Sequence, residues 1–141
     1  MSMKVFVDTN VLMDVLAKRE PFYRDSAHVW TLAEQGRVVG LVSVISFNNI
    51  YHVVRRLRTR QVADRMMILL RDTFTPVVLD KQILDQAIDA GLSDLEDAIQ
   101  YFSAVRAGAD CIVSRDARAF PTSDLPVLTP QELLATGLPG D

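Results

Sequence analysis

Hydrophobic residues fall along this chain in short runs rich in Val and Ile, separated by longer segments in which they recur every three or four positions. The short runs predict strands at residues 3–7, 38–42, 75–79, 110–114 and 126–128, because a run such as "DCIVS" is too short for a helix and is β-branched. The longer segments predict helices behind them. "NVLMDVLAK" follows the first strand, and "PFYRDSAHVWTLAEQG" places Phe22, Val29, Trp30 and Ala33 on one apolar side, with Pro21 at its start and Gly36 as its stop. A helix is expected from about residue 47 to 58, and another at "QVADRMMILLRD", where Val62, Met66, Leu69 and Leu70 have core spacing. "DKQILDQAIDAG" and "DLEDAIQYFSAVRAG" close on Gly91 and Gly108. The last helix, "TPQELLA", opens with Thr129 as cap, Pro130 in first position and Glu132 completing a capping box.

Strands alternating with helices predict an α/β fold, and short apolar strands of this kind a largely parallel sheet covered on both faces. At 141 residues and 49% hydrophobic, the chain matches one domain with a sizeable core, here residues 1–136 with a short flexible tail at 137–141. No apolar run is long enough to span a membrane and no signal segment precedes the first strand, so a cytoplasmic protein is expected. The single cysteine, Cys111, lies in an apolar run and reads as buried, which leaves no disulfide or zinc framework. The net charge of −3 hides a local excess of arginine at Arg55, Arg56, Arg58, Arg60 and Arg65, opposed only by Asp64.

In a parallel α/β sheet, ligands bind at the carboxyl ends of the strands, where the strand order reverses. The polar residues that follow the strands are Asp8, Thr9 and Asn10, then Ser43, Ser46, Asn48 and Asn49, then Ser114, Arg115 and Asp116. Asp94, Glu96 and Asp97 join them at the start of the helix that feeds the fourth strand. Each acid has a local explanation: Asp8 as a helix cap, Asp116 as a strand-end turn, and Ser93 with Glu96, or Asp94 with Asp97, as a capping box. Together, however, acids gathered at one sheet edge repel one another unless a cation compensates. Hard divalent ions are held by a few carboxylates and waters, with no need for histidine or cysteine, and they support hydrolysis of phosphodiesters. Competing chemistries lack material. There is no phosphate-binding glycine loop and no dinucleotide fingerprint, and His28 and His52 read as structural.

The blocks "KVFVDTNVLMDVL", "SVISFNNIYHVVRRL", "DLEDAIQYFSAVRAGADCIVSRDARAF" and "PVLTPQELL" resemble the PIN domain family, the fold of VapC-type toxin ribonucleases, over nearly the whole chain. The resemblance implies a three-layer α/β/α sandwich with a five-stranded parallel sheet in the order 3-2-1-4-5. It implies an endoribonuclease dependent on Mg²⁺ or Mn²⁺ that leaves a 5′ phosphate and a 3′ hydroxyl. Its metal-binding acids fall on Asp8, Asp97 and Asp116, with Asp94 acting through water, and Asn10 and Ser114 accompany them. The helix after the second strand, where the more typical pattern has a glutamate, carries Asn49, as in a subgroup with "SFNNIY"-like sequence. The resemblance also implies a small antitoxin partner and a homodimer. Two readings stay open: an active ribonuclease, or a catalytically weak PIN-like module that binds protein or RNA, for which the missing charge at Asn49 is the motive. Arg55, Arg56 and Arg58 are likewise either RNA contacts or a solvated or partner-facing surface.

Overall fold

The computed structural model describes residues 2–137; the tail expected at 137–141 lies, from residue 138 onward, outside the described residues. Five strands, β1 (Lys4–Val7), β2 (Val39–Ser43), β3 (Thr75–Val77), β4 (Cys111–Val113) and β5 (Val127–Leu128), form one parallel sheet in the order β3-β2-β1-β4-β5. The order reverses between β1 and β4, where Val5 pairs with Cys111 and Val7 with Val113. Seven α-helices pack around it: α1 (Thr9–Leu16), α2 (Tyr23–Glu34), α3 (Val44–Leu57), α4 (Arg60–Thr73), α5 (Lys81–Asp89), α6 (Leu95–Arg106) and α7 (Pro130–Ala135).

Strand alternation sends side chains to two cores. Val5, Val7, Val42, Cys111 and Val113 pack with Leu12, Val29, Trp30, Ile50, Leu70 and Leu133 from helices on one face. Phe6, Leu41 and Ile112 face the other side, against Ala104 of α6. A smaller cluster, Ile83, Ala87, Ala98 and Ile99, joins α5 to α6. These are the three layers. The Trp30 and Phe74 rings meet edge-on at 4.9 Å, and Phe74 also lies against Gly40, where a β-carbon would overlap its ring. That close approach is why β2 carries a glycine in its interior.

Local signals hold well. Gly36, Gly91 and Gly108 all take positive φ just past helix ends, and Thr129 and Glu132 form the reciprocal capping box. Cys111 is buried and unpaired, and burial pushes its thiol up to about 11, so it is an inert core side chain. No helix among the described residues is long and apolar enough to cross a membrane.

Four expectations change. Helix α2 begins at Tyr23 rather than Pro21, which follows a cis peptide bond in the preceding turn. Phe22 consequently lies outside the helix and is 40% exposed instead of sharing the buried side of Val29 and Trp30. Leu69 is 52% exposed, because Leu70 and Ala63 supply the buried line of α4. Helix α3 starts at Val44, immediately after β2, with Ser43 as its cap. Tyr51, Val54, Met66 and Met67 pack into the larger core, whereas Leu57 is 70% exposed.

Candidate functional site

Asp8 ends β1 and caps α1, accepting a long hydrogen bond from the Asn10 amide at 3.4 Å. Capping is the smaller part of its role, because the side chain is buried and held by two other segments. The Ser114 hydroxyl, at the end of β4, donates to Oδ2 at 2.7 Å, and Gln100 Nε2, from within α6, donates to Oδ1 at 3.1 Å. The two carboxylate oxygens are thus fixed in one orientation.

Gln100 is the residue that the sequence did not flag. It is fully buried, and its carbonyl oxygen accepts the Thr9 N–H at 3.1 Å while its amide holds Asp8. Thr9 in turn shares a 2.6 Å hydroxyl contact with Ser46 on α3. The starts of α1 and α3 are therefore joined to α6 through a polar chain that ends on Asp8. A glutamine in the middle of a helix carries no signal in sequence.

Around this anchor stand more acids. Asp94 caps α6, accepting from the Asp97 N–H at 2.9 Å, so the cap belongs to Asp94 and not to a Ser93–Glu96 box. That frees Glu96. The Asn49 side-chain amide donates to the Glu96 carboxylate, and burial raises the Glu96 pKa against the lowering influence of that bond. Asp116 ends the β4 turn: its N–H donates to Ser114 Oγ at 3.1 Å, while its own carboxylate caps a short 3₁₀ turn through the Arg118 N–H. Asn10 is exposed beside Asp8.

Asp97 registers the whole arrangement. Its carboxyl is pushed up to about 6, first by burial, then by the negative charges of Asp94, Asp8, Glu96 and Asp116. Acids from the β1 end, the α6 start and the β4 end therefore bear together on Asp97. Oxygen donors of this type suit a hard divalent cation. Among the described residues, no three acidic, histidine or cysteine side chains already converge as ligands.

The arginines are not brought to this edge. Arg55 and Arg56 lie in the last turn of α3 and Arg58 caps its end, all three exposed. From Asn49 to Arg56 the helix advances about 10 Å. Of the neighbouring basic residues, Arg60 pairs with Asp64 at 3.7 Å.

Comparison with known proteins accords with this geometry. Ribonuclease VapC1 of Aquifex aeolicus (strain VF5) is 28% identical over 135 residues, covering 93% of each chain. Among solved structures, VapBC-1 from nontypeable Haemophilus influenzae superposes with a TM-score of 0.69 at 15% identity, covering 92% of this chain and 99% of that one. The Mycobacterium tuberculosis VapC20 toxin, which cleaves the sarcin–ricin loop, gives 0.67 at 14% identity over 82% and 92% of the two chains. A family profile described as PIN domain matches residues 4–118, and with the sheet order and the acidic edge already in place, this chain belongs to the PIN domain family.

Proposed function

We propose that this protein is a divalent-metal-dependent endoribonuclease acting as the toxin of a toxin–antitoxin pair. The observation that carries the reading is the gathering of acids from three separate segments, Asp8 at the end of β1, Asp94, Glu96 and Asp97 at the start of α6, and Asp116 after β4, whose charges together with burial hold the Asp97 carboxyl up at about 6. Such a cluster calls for a cation. Its all-oxygen donors fit Mg²⁺ or Mn²⁺.

In this reading Asp8, Asp97 and Asp116 hold the ion, and Asp94 reaches it through water. A bound ion supplies an activated water and positive charge for the departing oxygen of a phosphodiester. The chain's own contribution is orientation. Ser114 and Gln100 lock the Asp8 carboxylate before any ion arrives, while Asp97 and Asp116 are left to close on it. Asn10 stands at the exposed side of Asp8, placed to bond a water or a phosphate oxygen. Asn49 holds Glu96, which returns a negative charge to the corner where Asn49 itself has none. That removes the main motive for a charge-poor, purely binding module.

Arg55, Arg56 and Arg58 then meet the RNA backbone away from the scissile bond, at the far end of α3. A small antitoxin is proposed as a partner, because the Haemophilus neighbour is VapBC-1 and a further neighbour, at TM-score 0.65 and 21% identity, is a toxin–antitoxin complex from Klebsiella pneumoniae; a homodimer is proposed on the family resemblance alone. The test is cleavage of RNA by purified protein with and without Mg²⁺ or Mn²⁺. Cleavage should require the ion and vanish in Asp8→Asn and Asp116→Asn. Equal cleavage by both variants would overturn the assignment.

A further inference from the structure

Beside the acidic edge, but not part of it, lies a cavity of about 300 Å³ bounded by the start of α2, the β4 turn and the β5–α7 junction. Its size is at the lower end of small-ligand sites. Arg115, which lines it, stands in the chain between Ser114 and Asp116, two residues of the acidic edge.

The guanidinium is held in place from two sides. Arg115 Nε lies 2.7 Å from Oδ2 of Asp14, a residue of α1 with 0% exposure; the contact is an ion pair off the line of a directed hydrogen bond. Its carbon centre sits 4.1 Å from the Phe22 ring centroid, and 28% of its side chain remains exposed. A fixed guanidinium offers parallel N–H donors with little ordering cost.

Three further features face the same space. Asp25 also lines the cavity and, unlike Asp14, makes no ion pair to Arg115, so an acceptor and a donor border the same space. Ser26 borders it too, its hydroxyl buried and without a hydrogen-bond partner. Phe22 and Pro130 supply flat apolar walls, and Phe22 has no place in either core. An exposed aromatic ring beside an arginine is suited to stacking with a base.

We infer that this cavity is a nucleobase subsite that takes a guanine of single-stranded RNA, adjacent to the cleaved bond. The inference rests on the ribonuclease reading for its biological setting. Guanine offers O6 and N7 to the Arg115 donors, and its N1–H and amino group to the Asp25 carboxylate. A planar base also matches the Phe22 and Pro130 walls. Among the four RNA bases, guanine alone offers both a pair of adjacent acceptors for Arg115 and a pair of adjacent donors for the Asp25 carboxylate.

The test is an amide-resolved NMR titration of the protein, free of divalent ions, with each of the four nucleoside 5′-monophosphates. Guanosine 5′-monophosphate should shift the Phe22, Ser26 and Gln131 amides, and should bind at least about tenfold more tightly than the uridine or cytidine analogue. Phe22→Ala and Asp25→Asn, checked for folding by the dispersion of their spectra, should each weaken that binding about tenfold. They should also flatten the guanosine preference beside the cleaved bond in an RNA oligonucleotide panel. Absence of shifts at these amides, or equal binding of all four nucleotides, overturns the subsite. Protection of the same amides by a co-expressed protein partner, with no nucleotide effect, overturns it in favour of protein docking. If the protein cleaves no RNA yet binds guanosine 5′-monophosphate here, the ribonuclease reading fails and the subsite stands.

Discussion

At the carboxyl edge of β1 and β4, charge is partly buried and tied to neighbours; at the end of α3 it is exposed and loosely held. Asp8 accepts from Ser114 and Gln100 across the fold, and Asp97 feels four other acids. Arg55 and Arg56 sit in the last turn of α3, where a helix C-terminus favours positive charge whatever its function. The contrast separates two kinds of electrostatics. One is set by tertiary contacts and raises the pKa of Asp97 and Glu96; the other is set by local sequence and screened by water and salt.

The largest effect expected from breaking this contrast is on chemistry at the acidic edge. Asp8→Asn keeps a similar shape but removes the charge that Ser114 and Gln100 orient, and should lower metal-dependent cleavage by at least about 100-fold, measured as kcat/KM. Next comes stability. Gln100→Leu strands the Thr9 N–H and leaves Asp8 Oδ1 with only the long bond from the Asn10 N–H, and should cost about 2–3 kcal/mol in urea unfolding. A similar cost at any of the exposed arginines would break the comparison.

Asp97 gives the opposite sign. Its folded pKa, about 6, lies above the ordinary 3.8, so the folded state resists its ionisation. That penalty is fully present above pH 6, shrinks as pH falls from 6 toward 3.8, and is gone below. Without divalent ions, Asp97→Asn should therefore stabilise the protein at pH 7.5 by roughly 1 kcal/mol, a figure discounted for solvent screening, and by nothing below about pH 4. Added Mn²⁺ should reverse the order of the two melting temperatures, and its binding near pH 6 should release protons, read by calorimetry in buffers of differing ionisation heat. The smallest effect belongs to the arginines. Replacing Arg55, Arg56 and Arg58 together by alanine should change stability by less than about 0.5 kcal/mol per site and raise KM for RNA severalfold at low salt, with the difference fading as salt rises.

Much of the acidic edge was legible because its members carry charge at strand ends. Asp8, Asp97 and Asp116 stand where a parallel sheet gathers its carboxyl termini, and Asp94 and Ser114 accompany them as expected. Gln100 was not legible. It meets Asp8 across 92 residues of sequence, and a neutral side chain inside an amphipathic helix gives no sign of facing a carboxylate. Glu96 was discounted for a similar reason: a local capping box explained it, and only the position of α3 shows its carboxylate bonded to Asn49, 47 residues away. Phe22 failed differently. Helical spacing predicted it buried, but the turn before Tyr23 takes it out of the helix and beside Arg115.

By itself the sequence determined what depends on neighbours along the chain: strand and helix positions, the glycine stops after α2, α5 and α6, and the Thr129 capping box. Those features are short-range, so residue type and spacing suffice to specify them. The tertiary structure alone decided which polar groups meet, that Asp8 is clamped by Gln100 and Ser114, that Asn49 holds Glu96, and that Asp14 fixes Arg115 over Phe22. Burial makes those meetings matter, because out of water an unmatched charge or amide is costly and must find its partner wherever the fold brings one.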